Sequence, residues 1–109
     1  MAGQAREVSD ATFQKEVMEN PSPVLVDFWA QWCGPCQLMK PVVEKVAELG
    51  KEKFVVATME IDKNPQTAGK FSVMSIPTFI VVKEGAVKAQ FNGAMTEQEL
   101  MHKAEEAIR

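Results

Sequence analysis

The 109-residue chain has only two cysteines and one histidine, and that scarcity excludes several classes of protein. Two cysteines cannot build the framework of a disulfide-dense secreted scaffold. A structural zinc ion wants four ligands, and beyond Cys33 and Cys36 the only other conventional soft ligand is His102, in the terminal helical pattern. A zinc site would therefore need two chains to share it. No stretch approaches the ~20 apolar residues of a membrane span, and "MAGQAREVSD" lacks the apolar region of a secretory signal, so the expected setting is intracellular. An excess of positive charge is missing as well. With 12 Lys and Arg against 15 Asp and Glu the net charge is −3, which gives no footprint for nucleic acid or an anionic membrane. Internal repeats, linkers and low-complexity tracts are absent. What is present, 46% hydrophobic and 25% charged residues, suits one soluble domain spanning 1–109 around a single core.

The periodicity predicts the elements. Ala5 to Val8 reads as a short first strand, and Ser9 or Asp10 as the cap of a helix that places Phe13, Val17 and Met18 on one face. Two prolines in "NPSP" (20–23) end it. Val24 to Ala30 is almost continuously apolar, the pattern of a strand covered on both faces. From Pro35 to Leu49 an amphipathic helix carries Met39, Val42, Val43, Val46 and Leu49 on one side. Gln37, Lys40, Glu44, Lys45 and Glu48 take the other. Pro41 lies inside it and predicts a kink. Gly50 is its stop signal. Phe54 to Ile61 is another strand, and Asn64-Pro65 is the N-cap and first position of a short helix. Thr78 to Val82 and Val87 to Phe91 are strands joined by a Glu84-Gly85 turn. Thr96 and Glu99 form a capping box for a last helix, striped by Leu100, Met101, Ala104, Ala107 and Ile108. The order βαβαβα followed by ββα implies parallel pairing where helices intervene, an antiparallel hairpin at Gly85, and helices on both faces of a mixed sheet.

Cys33 and Cys36 sit where the buried strand meets the amphipathic helix. A helix N-terminus offers unpaired N–H groups and the positive end of the helix dipole, and both stabilise a thiolate. Cys33, at the tip, is the expected nucleophile and the more exposed of the two; Cys36, one turn in, is the resolving thiol. Gly34 allows close backbone approach, and Pro35 loses little in a first turn. CxxC beside a βαβ pattern reads as redox-active rather than as an inert structural disulfide. Asp27 interrupts the strand on the face shared by Leu25 and Trp29 and should lie beneath the cysteines. A buried carboxylate without a partner is costly, so its pKa should rise. Such a group could take the proton of Cys36. It could equally be a structural carboxyl hydrogen-bonded to a backbone group or a hydroxyl, and the residues alone leave the two readings even.

"WCGPC" after "VDFWA", with "IPT" at 76–78 and "NGA" at 92–94, resembles the thioredoxin family in order and spacing over nearly the whole chain. The resemblance implies the thioredoxin fold: a mixed five-stranded sheet, parallel core plus antiparallel hairpin, flanked by four helices. It implies cytoplasmic protein-disulfide reduction by a monomer and many disulfide-containing client proteins. It also implies recycling by an NADPH-dependent thioredoxin reductase. The resemblance implies no bound cofactor or metal, only the redox-active Cys33–Cys36 disulfide. It favours the catalytic reading of Asp27 and a cis peptide bond at Ile76-Pro77. The matching substrate-facing surface is Trp32, Gly34, Pro35, Ile76, Pro77, Gly93 and Ala94, with Trp29, Pro41 and Thr58 as structural residues nearby.

Departures from the family pattern bear on partner choice. Thr58 stands where the family often has a lysine near the aspartate, a loss that would keep Asp27 protonated to higher pH. Gln31, Gln37, Met74-Ser75 and Asn92 also differ, with Met74 either a soft substrate contact or core filling, and its loop position favours contact. His102 reads as a solvated helix residue, and Phe13, Phe54 and Phe79 as core. An oxidant or isomerase of this fold usually has histidine between the cysteines, so Gly34-Pro35 argues for a reductant. A different class of role, as a processivity or regulatory subunit of a larger assembly, would use the groove without the thiols.

Overall fold

In the computed structural model, which describes residues 4–109, the apolar run at 24–29 becomes the central strand of a five-stranded sheet. In chain order the elements are β1 (Arg6–Glu7), a π-helical segment (Gln14–Met18), β2 (Val24–Trp29), α1 (Gly34–Leu49), β3 (Val55–Glu60) and α2 (Pro65–Lys70). They continue with β4 (Thr78–Lys83), β5 (Ala86–Asn92) and α3 (Glu97–Ala107). The strand order is β1-β3-β2-β4-β5. β1 and β2 pair parallel to β3, whereas β4 runs antiparallel to both β2 and β5. Reading an intervening helix as a parallel crossover therefore holds for β1, β2 and β3 but not for β4. The reason is length. Six-residue α2 spans about 9 Å, half of a six-residue strand at about 20 Å, and does not run the length of the sheet as a crossover helix would. The chain enters β4 at the end where it left β3, with Thr78 opposite Phe28.

Alternation along β2 divides the core. Leu25 faces α1 and α3, packing with Met39, Val43, Val46, Phe54, Phe79 and Leu100. Val24, Val26 and Phe28 face the other side, with Phe13, Val17, Met59 and Ile80. Phe13, Phe54 and Phe79 are core residues as expected, and His102 is exposed. Leu49, expected on the apolar side of α1, lies half exposed as the last residue of that helix.

Turn chemistry follows the sequence closely in three places. Glu84 and Gly85 both take positive φ, 53° and 78°, the geometry a two-residue hairpin turn needs to match strand twist. Thr96 and Glu99 form the expected reciprocal capping box. Gly50 ends α1, but with φ −96°, outside the left-handed region; a Cβ there would collide with the Phe54 ring. Close approach, not backbone conformation, requires glycine at this point.

The first helix and the cap of α2 come out differently from expectation. Ser9 and Thr12 satisfy each other: the Ser9 N–H donates to Thr12 Oγ1 at 2.9 Å and the Thr12 N–H to Ser9 Oγ at 3.3 Å. This closed turn delays the helix to Gln14, where a single π-helical stretch forms. Asp10 is released to cap a different helix. Its carboxylate accepts from the Gln66 N–H (3.2 Å), the Thr67 N–H (2.8 Å) and the Thr67 hydroxyl (2.6 Å) at the start of α2. Asn64 occupies the N-cap position, but its side chain faces the other way, accepting from the Asp10 N–H and donating to the Glu60 carbonyl. Asp10→Ala is expected to destabilise the protein by about 1–2 kcal/mol, read from the midpoint of urea unfolding, because three donors at the start of α2 lose their acceptor. An unchanged midpoint would contradict this assignment.

Candidate active site

β2 ends at Trp29 and α1 begins at Gly34, so the turn between them projects the cysteines at the end of the sheet. Cys33 is the N-cap of α1, extended at φ −92° and ψ 110°. Its sulfur takes the place a serine oxygen usually occupies: the Cys36 N–H donates to Cys33 Sγ at 3.2 Å. A donor directed at the sulfur, with the helix dipole behind it, lowers the cost of a thiolate at Cys33. Pro35 falls in the first turn, where a missing N–H leaves nothing unpaired. Cys33 and Cys36 form a disulfide with Cα atoms 5.2 Å apart. The expected contrast in exposure is narrow, with Cys33 at 5% and Cys36 at 2%, because Ala30, Trp29, Ile61 and Ile76 pack around both.

Two side-chain clamps hold this turn, and the sequence pattern did not reveal them. Gln37 Nε2 donates to the Gln31 carbonyl at 3.0 Å, so two of the residues that depart from the family pattern are partners. Glu60, buried at the end of β3, accepts from the Lys63 N–H at 2.9 Å and the Gln31 N–H at 3.4 Å. Trp32 Nε1 donates to Asp62 Oδ2 at 2.8 Å, and the residue stays exposed.

An open groove of about 420 Å³ runs from Cys33 to the loop before β4. Trp32, Gly34, Pro35 and Ile76 line it as expected, joined by Ile61, Val73, Met74 and Ser75. A Cβ at Gly34 would meet nothing within 4 Å, so its open side faces the groove rather than any part of the fold. The Ile76-Pro77 peptide is cis, and Cys33 Sγ lies 3.7 Å from the Ile76 carbonyl oxygen. Pro77 is buried; Gly93 and Ala94 are exposed but stand outside the groove lining, linked to it through the Gly93 N–H, which donates to the Pro77 carbonyl at 2.9 Å. Met74 is 92% exposed, which removes the core-filling reading, and Trp32, lining the same groove, is 68% exposed. Asn92 Nδ2 donates to Ser75 Oγ at 2.7 Å and steadies the loop from β5.

Behind the cysteines a second cleft, about 310 Å³, opens between α1 and the sheet. Asp27, Trp29, Lys40, Pro41, Val43, Glu44 and Thr58 line it, which brings Asp27 together with Trp29, Pro41 and Thr58. Asp27 is 5% exposed, flanked in the sheet by Thr58 and Phe79. Its Oδ1 is buried and accepts no hydrogen bond from the described residues, unlike a structural carboxyl held by a hydroxyl or backbone donor. Burial pushes the Asp27 pKa up to about 7, and Lys40 opposes that rise. The cation expected to be lost with Thr58 is thus supplied from α1. Among the described residues, no cluster of three or more His, Cys, Asp or Glu side chains is placed to hold a metal, and no helix is long and apolar enough to cross a membrane.

The thioredoxin family model matches residues 4–106. The chain is 40% identical to a thioredoxin of Chlorobaculum thiosulfatiphilum over 107 residues, covering 98% of this chain and 99% of that one. It is 40% identical to thioredoxin 2 of Chlorobaculum tepidum over 108 residues, 99% of each. With a thioredoxin of Alicyclobacillus acidocaldarius identity is 45% over 93 residues, 85% of this chain and 88% of the relative.

The buried carboxyl fixes a pH dependence. Below pH 3.8, its ordinary pKa, Asp27 is protonated whether the chain is folded or not; between there and about 7 only the unfolded chain releases the proton. Stability from this group is therefore full at acid pH and lost as pH rises through about 7. An asparagine has no proton to lose. Asp27→Asn should gain stability over the wild type between pH 4 and 8, by at most about 4 kcal/mol at about 1.4 kcal/mol per pH unit. Urea unfolding of both proteins at the two pH values measures it; parallel stabilities at both would contradict the buried, raised carboxyl.

Proposed function

From the chain's membership of the thioredoxin family and the geometry around its disulfide, we propose how it carries out thiol–disulfide exchange and for whom. The observation that carries the reading is the placement of Cys33 Sγ, which receives the Cys36 N–H at the head of α1 while facing an open, largely apolar groove. In the reduced protein Cys33 is the thiolate. It attacks one sulfur of a client disulfide, forming a Cys33–client bond and expelling the other client sulfur as a thiolate. Asp27 then takes the proton of Cys36. The Cys36 thiolate attacks Cys33 Sγ, breaks the mixed disulfide and releases the reduced client, leaving the Cys33–Cys36 disulfide.

Trp32, Gly34, Pro35, Ile76 and Met74 form the docking surface, and the backbone before Pro77 pairs with an extended client segment as a short added strand. The flat apolar lining and few directional groups suit many flexible clients rather than one. Gly93 and Ala94 form the outer rim beyond Pro77. The Cys33–Cys36 disulfide is returned to the dithiol by a thioredoxin reductase that draws on NADPH, and the protein works in the cytoplasm as a monomer formed of one domain, 1–109. Trp29 and Pro41 shape the cleft through which Asp27 exchanges its proton.

Cys36→Ser should accumulate a stable mixed disulfide with a model client through Cys33, visible as a mass adduct, whereas Cys33→Ser should trap none. Adducts forming equally well at Cys36 would reverse the assignment. Equilibration of the wild type in thiol–disulfide buffers should give a potential near about −270 mV, a figure known for thioredoxins in general rather than obtained from this geometry. A result near the about −120 mV of a strong oxidant would contradict the reductant reading.

A further inference from the structure

The groove beside Cys33 presents a reactive sulfur that the exchange steps leave unused. Met74 is almost fully exposed. The other methionines of residues 4–109 are shielded. Met39 and Met59 are buried in the two halves of the core, and Met18, Met95 and Met101 pack against its edges. Oxidation of a thioether needs an oxidant to reach the sulfur lone pair, so access singles out Met74.

The loop that presents Met74 is held in place. Gln90 Nε2 donates to the Phe71 carbonyl at 2.9 Å, the Thr78 hydroxyl donates to the Ser75 carbonyl, and Asn92 Nδ2 donates to Ser75 Oγ at 2.7 Å. Two clefts meet at Met74 and Ser75. One is the groove shared with Trp32, Cys33 and Ile76; the other, about 240 Å³, is shared with Ser72, Thr78, Gln90 and Asn92. Their chemistry differs. The groove is largely apolar, whereas the smaller cleft carries hydroxyls and amides and no charged side chain. Because the Asn92 amide donates to Ser75 Oγ, the Ser75 hydroxyl keeps its own proton to give.

We propose that Met74 is an oxidation site that sets how well the groove binds clients: a hydroperoxide converts its thioether to the sulfoxide, and the polar side chain that results weakens docking. The proposal rests on the reading of the groove as the client-docking surface. In the step, a lone pair of the Met74 sulfur attacks a peroxide oxygen. The O–O bond breaks, an S–O bond forms, and the other oxygen leaves as water, or as an alcohol from an alkyl hydroperoxide. Sulfur loses the two electrons that the peroxide gains. The thioether offers a client a soft apolar contact with no directional demand. The sulfoxide is polar and accepts hydrogen bonds, so it fits the apolar groove poorly and the Ser75 hydroxyl of the neighbouring cleft well. While Cys33 and Cys36 are joined as a disulfide they offer the oxidant no thiolate, which leaves Met74 as the accessible sulfur among the described residues. A methionine sulfoxide reductase restores the thioether.

The test starts from the disulfide form, treated with dilute hydrogen peroxide and mapped by mass spectrometry of its peptides. Treated and untreated protein are then reduced with dithiothreitol, which leaves a sulfoxide in place. Each is mixed with a disulfide-bonded model peptide over a range of concentrations. Wild type should gain oxygen at Met74 ahead of Met18, Met39, Met59, Met95 and Met101. The peptide concentration at half-maximal rate should rise about three- to ten-fold, as expected when part of a methionine's apolar contact is lost. The limiting rate should change little, as should the rate with a small aromatic disulfide that needs no groove. Met74→Gln, polar and of similar length, should show the raised value without peroxide. Met74→Leu should hold its own starting value through the treatment, and methionine sulfoxide reductase should return treated wild type to the untreated value. Oxygen appearing first at another of these methionines would overturn the proposal. So would full conversion of Met74 with no change in the half-maximal concentration, or a rise in treated Met74→Leu equal to that of wild type. If untreated wild type does not reduce the peptide at all, the exchange reading itself fails and takes this proposal with it.

Discussion

A carboxylic acid in the middle of the central strand, with no hydrogen bond to its buried oxygen, is the constraint around which the site is arranged. Elsewhere β2 satisfies both faces with apolar side chains, and an apolar residue at 27 would extend the Leu25 cluster towards Trp29. Holding Asp27 there raises its pKa to about 7 by burial. That places a titratable proton near neutral pH, behind a helix whose first turn carries both cysteines. The rest of the fold supplies what this arrangement needs. Parallel pairing with β3 fixes Thr58 on one side, antiparallel pairing with β4 fixes Phe79 on the other, and α1 lays Lys40 and Glu44 over the opening.

The two sides of the disulfide divide the work. On the groove side, Cys33 has a donor at its sulfur, an apolar approach lined by Trp32 and Met74, and a cis-proline loop whose Ile76 carbonyl lies close by. On the cleft side, charge and proton affinity dominate. α1 connects them: Cys33 caps it, Cys36 completes its first turn, and Lys40 stands one turn further on. The dipole that favours a thiolate at its head and the lysine that favours a carboxylate at its flank act from one rigid element.

Most of the fold was legible because its signals are local. β-branched runs gave the strands, the Glu84-Gly85 pair gave the hairpin, and Thr96 with Glu99 gave the capping box. What was not legible depends on contacts between distant residues. Asp10 caps a helix more than fifty residues away, since Ser9 and Thr12 had already closed their own turn. The direction of β4 is set by its pairing with β2 and goes with a short α2, neither of which hydrophobic period reports. At the site, the cysteines and Asp27 could be singled out from motif and alternation, and Trp32, Gly34, Pro35 and Ile76 of the groove lining from the family resemblance. Lys40 could not: its position on the polar side of an amphipathic pattern is that of any solvated lysine, and only the fold shows it lying over Trp29. The Gln31–Gln37 and Glu60 clamps were hidden for the same reason.

The measurement that bears most directly on this account is the titration of the Asp27 carboxyl in the reduced wild-type protein, followed by carbon-13 NMR from pH 3 to 10. Burial without a protein hydrogen bond, offset in part by Lys40, predicts an inflection near 7. An inflection near 4, the ordinary range of an exposed aspartate, would mean that the carboxyl is solvated and ionised at neutral pH, and the organisation of the site around its burial would be wrong.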